Sequence, residues 1–489
     1  MPYKPSFGTI RNAGEPIEAP RPESPFRIAV LSDFSGRQNR GEIGSSEEIA
    51  SRHLMRVSRD TLDDVMGKLA IYLTLPLGGG ARVTLSFASL DNLHPDEIHG
   101  RVGDIAHAYD SDEKSALMNT LLHHPDFQAL ESAWRGLDWF LGRAAKGRQI
   151  EVMLLDISLA ELAADLKANE DLTASGLYQV LIENGVRGPR GTPWAVLVGN
   201  YVFDLTGQHA ELLGRLAKIA SQTMAPFLTT VHPQVLDKAF ALSPEAAPAW
   251  QALRQLPEAA LLGLAVPRFL LRLPYGENTQ SIERFSYEEM TQPQDRSHYL
   301  WGNPAFACAA LLAQGFQKDG WGTKPGAVLE LDNLPIHVYT VDGEEEVTLA
   351  EAWLVRPQTE QLVKLGIMPF LCVRGKGALQ LLRFVSLSQP AGELQGRWSP
   401  LAMAPAPRAA VPPAPKVSMV GQMPAKGYAA APAAAPPAAA PSAATTPAAP
   451  AAPAVAASPA PAPAAEEPAA PPAEEEMDPD LAALLKQLE

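Results

Sequence analysis

The sequence predicts an α/β protein with mixed sheets flanked by helices, followed by a disordered Ala/Pro-rich C-terminal tail. Through the first 390 residues, short apolar runs typical of buried strands alternate with segments whose apolar residues have helical spacing. This alternation favours a mostly parallel sheet with helices on its faces. From about residue 400 the chain consists largely of Ala and Pro with almost no aromatic side chain, so a packed core is not expected there.

The N-terminal quarter predicts an arm, a strand, a helix and a hairpin. In chain order, we expect a flexible polar arm over 1–25, a strand over 26–31, a loop over 37–50, a helix within 57–69 and hairpin strands over 73–77 and 83–87. Ser58 or Asp60 is a suitable N-cap for the helix. The hairpin strands flank three glycines, and the second strand alternates apolar with polar residues.

The central part predicts helices and strands in alternation. We expect helices over 114–122, 127–141, 159–166, 211–224 and around 299–316, and strands over 150–155, 194–199, 227–231, 336–341, 347–349, 368–373 and 379–387. The runs over 150–155 and 194–199 are almost wholly apolar, as in strands buried on both faces. A turn at Asp342-Gly343 separates two of the later strands.

The tail is predicted to be a semi-extended linker over 391–476 that ends in a short amphipathic helix over 477–489. Asp478 can cap this helix, and Pro479 suits its first position. Four leucines form one apolar stripe along it: Leu481, Leu484, Leu485 and Leu488. Because so short a helix is marginal alone in water, the stripe predicts an interface with a partner that the sequence does not identify.

Composition narrows the function classes. The 489 residues include 40 Lys and Arg against 55 Asp and Glu, a formal net charge of −15, and no cationic run. Phosphate contacts need clustered cations, so nucleic-acid binding is not expected. The two cysteines, Cys308 and Cys372, lack the spacing of a redox or metal motif and are expected to be small buried apolar side chains. No cofactor or metal is expected.

Membrane and export signals are not recognised either. Residues 1–25 have no apolar core of a signal peptide. The most apolar stretch, 259–273, is interrupted by Pro267, Arg268 and Arg272, so membrane insertion is not expected. The expected location is the cytoplasm of a cell with reduced thiols.

The tripeptide His-Pro-Asp occurs twice, at 94–96 and 124–126. The favoured interpretation is helix initiation, because Pro suits the first helical position and Asp the first turn. Acid–base catalysis or chaperone recruitment of the J-domain type remains as the alternative. The pair His123-His124 lacks further ligands at metal spacing, and no phosphate loop, nucleophile elbow or zinc-protease motif occurs, so an enzyme is not expected.

Arg268 and Arg272 are candidate interface residues. Both lie in a segment that mixes apolar anchors with regularly placed arginines, and a guanidinium in such a setting favours bidentate pairing. The pairing can be with a neighbouring protein or with a carboxylate of the same domain, and the sequence leaves both open.

Several motifs resemble the large subunit of the bacterial type VI secretion contractile sheath, TssC or VipB. They are LAVPRFLLRLPYG at 264–276, YLWGNPAFA at 299–307, LLHHPDFQALESAWRGL at 121–137, GNYVF at 199–203, APF at 225–227 and GWG at 320–322. Three more are similar to the sheath small subunit, TssB or VipA: PFRIAVLSDFSG at 25–36, SRDTLDDVM at 58–66 and FASLDNLHPD at 87–96. The chain therefore looks like a small-subunit-like segment (26–113) fused to a truncated large-subunit-like segment (114–390).

The resemblance implies a sheath-like fold and a structural, non-enzymatic role in a type VI secretion apparatus, with sheath subunits, inner-tube protein or baseplate proteins as partners. Subunits of this family lock together by exchanging terminal strands, a form of β-augmentation. Those terminal pieces are not recognised in this sequence, which favours an accessory or specialised fused subunit. The alternative is an adaptor or cap that docks on the apparatus and captures a partner through the leucine helix.

Overall fold

The computed structural model describes residues 5–398 except 12, 13, 15, 16, 79, 108, 109, 145–148, 190, 238, 239 and 374. The chain divides into residues 1–411 and 412–489, and the fold described below belongs to the first unit. Residues 399–476 of the predicted linker and the predicted helix over 477–489 lie outside the described residues.

The strands of the described part are numbered in chain order. They are β1 (Phe26–Ser32), β2 (Met55–Val57), β3 (Ile71–Gly78), β4 (Ala81–Phe87), β5 (Ile150–Asp156), β6 (Val196–Phe203), β7 (Phe227–Val231), β8 (Leu262–Val266), β9 (Phe269–Leu270), β10 (Trp301–Gly302), β11 (Glu330–Leu331), β12 (His337–Val341), β13 (Glu344–Thr348), β14 (Ile367–Cys372) and β15 (Leu379–Leu381).

The helices are numbered in the same way. They are α1 (Ser46–Ala50), α2 (Leu62–Leu69), α3 (Pro95–Arg101), α4 (Gly103–His107), α5 (Ser111–Leu122), α6 (Pro125–Ala144), α7 (Leu159–Ala168), α8 (Gly176–Tyr178), α9 (Gly207–Ser221), α10 (Ala247–Arg254), α11 (Pro304–Asp319) and α12 (Arg356–Lys364). A π-helical turn over Gln179–Asn184 continues α8.

Within the described residues, nine strands form one mixed sheet in the order β11-β15-β14-β8-β7-β6-β1-β5-β2. The six strands from β14 to β5 in this order run parallel to one another, while β2 and the pair β11 and β15 add antiparallel edges. All seven residues of β1 are buried, as its apolar sequence requires in the middle of a covered sheet. The predicted α/β class, with a mostly parallel sheet between helices, is confirmed.

Alternate side chains of β1 enter the two cores on opposite faces of the sheet. Ile28 and Val30 pack in a core that includes α6, α11 and the β3–β4 hairpin. Ala29 and Leu31 pack in the other core, with α7, α9 and α10. This division follows from the two-residue period of side chains along a strand.

The two sheath-like segments of sequence contribute to the same sheet. Strand β1 comes from the small-subunit-like segment, and it pairs in register with β5 from Phe26–Ile150 to Ser32–Asp156. On its other side it pairs with β6. Both neighbours of β1 come from the large-subunit-like segment.

Part of the predicted N-terminal arm packs against the folded body. The backbone of Thr9 pairs with the 170–172 turn, and Arg215 and Lys218 of α9 donate hydrogen bonds to the carbonyl oxygens of Ser6 and Gly8. Ser6 and Gly8 are therefore held against α9, and Thr9 against the 170–172 turn.

Several boundaries differ from the prediction. Strand β8 was not predicted, because its run belongs to a longer apolar stretch without a turn signal. The helix predicted within 57–69 starts only at Leu62, after strand β2 and one 3-10 turn. The helical segment predicted from Tyr299 starts at Pro304, whose ring suits the first turn. The predicted loop over 37–50 contains helix α1, and helices α4, α8, α10 and α12 were also missed.

No helix among the described residues is both long enough and apolar enough to cross a bilayer.

Candidate interface residues and the buried ion-pair cluster

Arg268 lies between β8 and β9, directly before β9, and pairs with Glu351 of the same chain. Its Nε and Nη2 atoms donate to the two carboxylate oxygens of Glu351 at 3.0 and 2.5 Å. The backbone N–H of Glu351 donates back to the carbonyl oxygen of Arg268 at 2.9 Å. The side chain of Arg268 retains 30% exposure, so the interface prediction for this residue stays a prediction.

Arg272 is buried and lies between two buried carboxylates of the same chain. It donates to Glu131 from Nε at 2.9 Å and to Glu289 from Nη1 and Nη2 at 2.7 and 3.0 Å. The guanidinium also lies 4.2 Å from the ring centroid of Tyr275. The sequence left open whether Arg272 pairs with a neighbouring protein or within its own domain. In the structure, its partners are carboxylates of the same domain.

A second arginine completes this cluster. Arg135 donates to Glu131 at 2.7 Å and to the Tyr275 hydroxyl at 3.1 Å. The backbone N–H of Tyr275 donates to Glu289 at 2.8 Å. Two guanidinium groups thus balance two carboxylates, and their donors and acceptors are matched, which is what buried charges require.

The electrostatics of Glu289 show how strongly the cluster holds this carboxylate. Burial alone raises the pKa of a carboxyl group, but the charge and hydrogen bonds of Arg272, the nearby imidazole of His123 and the backbone N–H of Tyr275 bring the pKa of Glu289 down to about 2. Burial lowers the pKa of Arg272, but the carboxylates of Glu131 and Glu289 hold this pKa well above its ordinary value. Both groups therefore stay charged at neutral pH.

The cluster fastens a long irregular segment, residues 271–300, to helix α6. This segment connects β9 to β10 and contains only one 3-10 turn, and its Glu289 reaches α6 through Arg272. Further bonds hold it along its length: Tyr287 donates to Asn119, and the backbone N–H of Glu283 donates to Asp96. The role of the cluster is positional, because it joins segments that are distant in sequence.

The two His-Pro-Asp motifs start helices. His94 and His124 each accept a hydrogen bond at Nδ1 from the backbone N–H of the Asp two residues later, at 3.3 and 3.2 Å. The intervening prolines begin α3 and α6. The helix-initiation interpretation is confirmed.

His123 stacks on His298, with ring centroids 4.0 Å apart and planes 7° from parallel. Its buried Nε2 lies 3.6 Å from Glu289. Among the residues that the structure describes, no group of three or more His, Cys, Asp or Glu side chains could hold a metal ion. Cys308 is fully buried, as predicted, and burial raises the pKa of its thiol; Cys372 is only partly buried.

The sequence analysis also missed a buried carboxylate outside this cluster. Glu161 of α7 is unexposed and accepts from Arg37 at 2.9 Å and from Arg52 at 2.5 Å. Burial opposes its charge, but these arginines and the backbone N–H groups of Ser158 and Gly44 lower its pKa to about 2. The local sequence contained one sign that Glu161 has a structural role, because Ser158 and Glu161 have the spacing of a capping box and form one.

The leucine stripe of residues 481–488 lies outside the described residues, so its interface assignment stays a prediction.

Comparison with known proteins extends these findings. Residues 110–386 match the VipB family, described as the EvpB tail sheath N-terminal domain. Residues 18–131 match the type VI secretion system VipA family. The type VI secretion system sheath protein TssC1 of Pseudomonas aeruginosa is 35% identical over 300 residues, which cover 57% of this chain and 59% of that protein. The chain thus spans about three fifths of the length of this relative.

The VipB match covers more than half of the chain, and the VipA match covers the segment that supplies β1 to the common sheet. The chain therefore belongs to the VipB family of type VI secretion tail-sheath proteins and carries a VipA-like segment at its N-terminal end.

Proposed function

We propose that this chain is a non-enzymatic structural component of a bacterial type VI secretion apparatus. Its folded body contributes contacts to sheath subunits, to the inner-tube protein or to baseplate proteins. The observation that carries the proposal is the common sheet, in which a VipA-like strand lies between two VipB-like strands. One chain that carries both segments supplies them in a fixed one-to-one ratio.

Within this role, an accessory or specialised fused subunit is favoured over the main polymer. The match to the TssC1 relative leaves about two fifths of that protein without a counterpart in the aligned region. In the sequence, an Ala/Pro-rich stretch stands where the large-subunit resemblance stops. Subunits of the family are joined by exchanged terminal strands, and such strands are not recognised in this sequence. Binding of this chain to a neighbouring subunit would therefore use a different contact.

Co-sedimentation tests this function. The full chain is mixed with tubes assembled from the sheath subunits and inner-tube protein encoded beside it, and the tubes are pelleted. The chain is expected in the pellet only when tubes are present, with saturation as its concentration rises. A chain that remains in the supernatant at all tube concentrations contradicts the proposal.

The adaptor role is a second candidate, supported by the leucine stripe at 477–489. If the predicted linker and helix form, a tether of roughly 80 residues would raise the effective concentration of whatever the predicted helix binds. Deleting 477–489 is expected to remove one specific partner from a pull-down, whereas deleting 13 residues of the Ala/Pro stretch, such as 440–452, leaves it. Equal interactomes for the two deletions contradict the adaptor role.

A further inference from the structure

A cleft lies at the point where the order of the parallel strands reverses. From β1 the chain passes to β5 on one side, and from β5 it crosses to β6 on the other side. The connection after β1 leads to α6 on one face of the sheet, whereas β6 is followed by α9 on the opposite face. The segments that follow β1 and β6 therefore diverge, and open α/β sheets bind ligands in the crevice at such a point.

The size and walls of this cleft suit a ligand. Its volume is about 430 Å³, within the range of roughly 300–1,000 Å³ found for binding pockets. Ser32 of β1 and Asn200 of β6 line it and are joined by a 3.0 Å hydrogen bond. The first two turns of α6 also line it, and Val202 and Trp301 supply apolar surface.

The cleft is not built for phosphate. In a phosphate-binding loop, the backbone N–H groups after the first strand point at the anion. Here the carboxylate of Asp33 accepts the N–H groups of Gly36, Arg37 and Gln38, each at 2.8 Å. An internal anion thus occupies the position, and the one arginine that lines the cleft, Arg268, is paired with Glu351.

Most of the described polar groups that line the cleft and lack a hydrogen-bond partner are uncharged. Among the described contacts, Asn200 Oδ1 and Gln128 Oε1 accept no hydrogen bond, and the side-chain amide of Gln38 has no partner. One oxygen of Asp126 is also unused, while the other accepts from Asn39 at 2.7 Å. Acceptors and an amide donor beside an apolar wall match a polypeptide main chain, which offers N–H and C=O groups without charge.

We propose that this switch-point cleft binds an uncharged, extended peptide segment of a neighbouring subunit in the assembled apparatus. The proposal rests on the structural function proposed above. The segment lies across the first turn of α6, where its N–H groups donate to Asn200 and Gln128 and its side chains cover Val202 and Trp301.

Site-specific photocrosslinking tests the proposal. Benzoylphenylalanine replaces Gln38 or Gln128 in the full chain, or Leu382, which is exposed and does not line the cleft, as the matched control. Each protein is co-expressed with the sheath subunits and inner-tube protein, irradiated, and analysed by mass spectrometry. Crosslinks from positions 38 and 128 are expected to converge on one segment of one protein, and those from 382 to miss it.

A substitution without loss of volume gives a second readout. Asn200→Leu keeps the side-chain volume but removes the acceptor for the peptide N–H, and about tenfold lower crosslink yield at position 128 is expected. Gln251→Leu, at an exposed site on α10, makes the same kind of change elsewhere and leaves the yield unchanged. Urea unfolding of both variants establishes that they are folded.

The outcomes separate this proposal from the function on which it rests. A chain that co-sediments with tubes but gives no convergent crosslink at 38 and 128 overturns the peptide site and leaves the structural role standing. A small molecule retained in the cleft, detected by native mass spectrometry, also overturns it. A chain that never joins the tubes overturns both.

Discussion

Replacing Arg272 by Met should destabilise the folded body by about 3–5 kcal/mol. The variant keeps most of the side-chain volume but leaves the buried carboxylate of Glu289 without its guanidinium partner, and breaking a buried ion pair costs this much. The pKa of Glu289 gives a similar scale: it lies at about 2 against an ordinary 4.5, and a difference of two to three units corresponds to about 3 kcal/mol.

The assay is urea unfolding of the full chain at pH 7, followed by tryptophan fluorescence and circular dichroism. Arg268→Met serves as the matched control, because this arginine is 30% exposed and its pair should contribute at most about 1 kcal/mol. The double variant Arg272→Met with Glu289→Gln removes the unpaired charge and should recover part of the loss, which a double-mutant cycle measures.

A loss in the free energy of unfolding for Arg272→Met that is no greater than the loss for Arg268→Met would contradict a stabilising role of the buried ion pair. Effects of the Arg272 and Glu289 substitutions that add without coupling would contradict it as well.

Three further predictions concern pH, packing and capping. The pKa values of Glu161 and Glu289 lie at about 2 in the folded protein against an ordinary 4.5, so the unfolded state is protonated first as the pH falls. The stabilisation that these carboxylates give is therefore complete above about pH 4.5 and is lost as the pH falls toward 2. Urea unfolding at a series of acid pH values should show this loss. Gly199→Ala should lower the free energy of unfolding by about 1–3 kcal/mol, because a Cβ at Gly199 would clash with the ring of Phe227 on β7. His124→Ala should cost about 1 kcal/mol through the lost cap at the start of α6, measured by urea unfolding.

Each of these predictions has its own control. Glu161→Gln should flatten the acid limb of the stability profile, and an unchanged limb contradicts the assignment. Gly67→Ala, in α2 with open space around the new Cβ, should be neutral or stabilising by up to about 1 kcal/mol, so equal losses at 67 and 199 contradict the packing argument. His124→Asn retains a capping side chain and should recover most of the loss at this position.

The sequence predicted those parts of the fold that depend on local pattern. Strands β1, β5 and β7 are short apolar runs bounded by turn residues, and each was placed within two residues of its bounds. The His-Pro-Asp motifs were interpreted correctly because a cap involves residues two positions apart. Strand β8 was missed because its apolar run continues past the prolines that follow, so no turn signal indicates where the strand ends.

The local sequence pattern could not predict pairings between residues that are distant in sequence. Nothing local specifies that β1 pairs with β5, more than 120 residues later, or that Arg272 meets Glu131, 141 residues before it. Pattern identified Arg272 as a residue that needs a partner but could not identify the partner. The Glu161 cluster shows the same limit, since its capping box was visible and its arginines, more than 100 residues earlier, were not.

Negative-stain electron microscopy with immunogold labelling shows whether this chain is a structural part of the apparatus. The full chain is imaged alone and after assembly with the sheath subunits and inner-tube protein encoded beside it. Label is expected on tubular assemblies, either along them or at their ends. Tubes that form without label, beside unattached particles of this chain, would contradict a structural role in the apparatus.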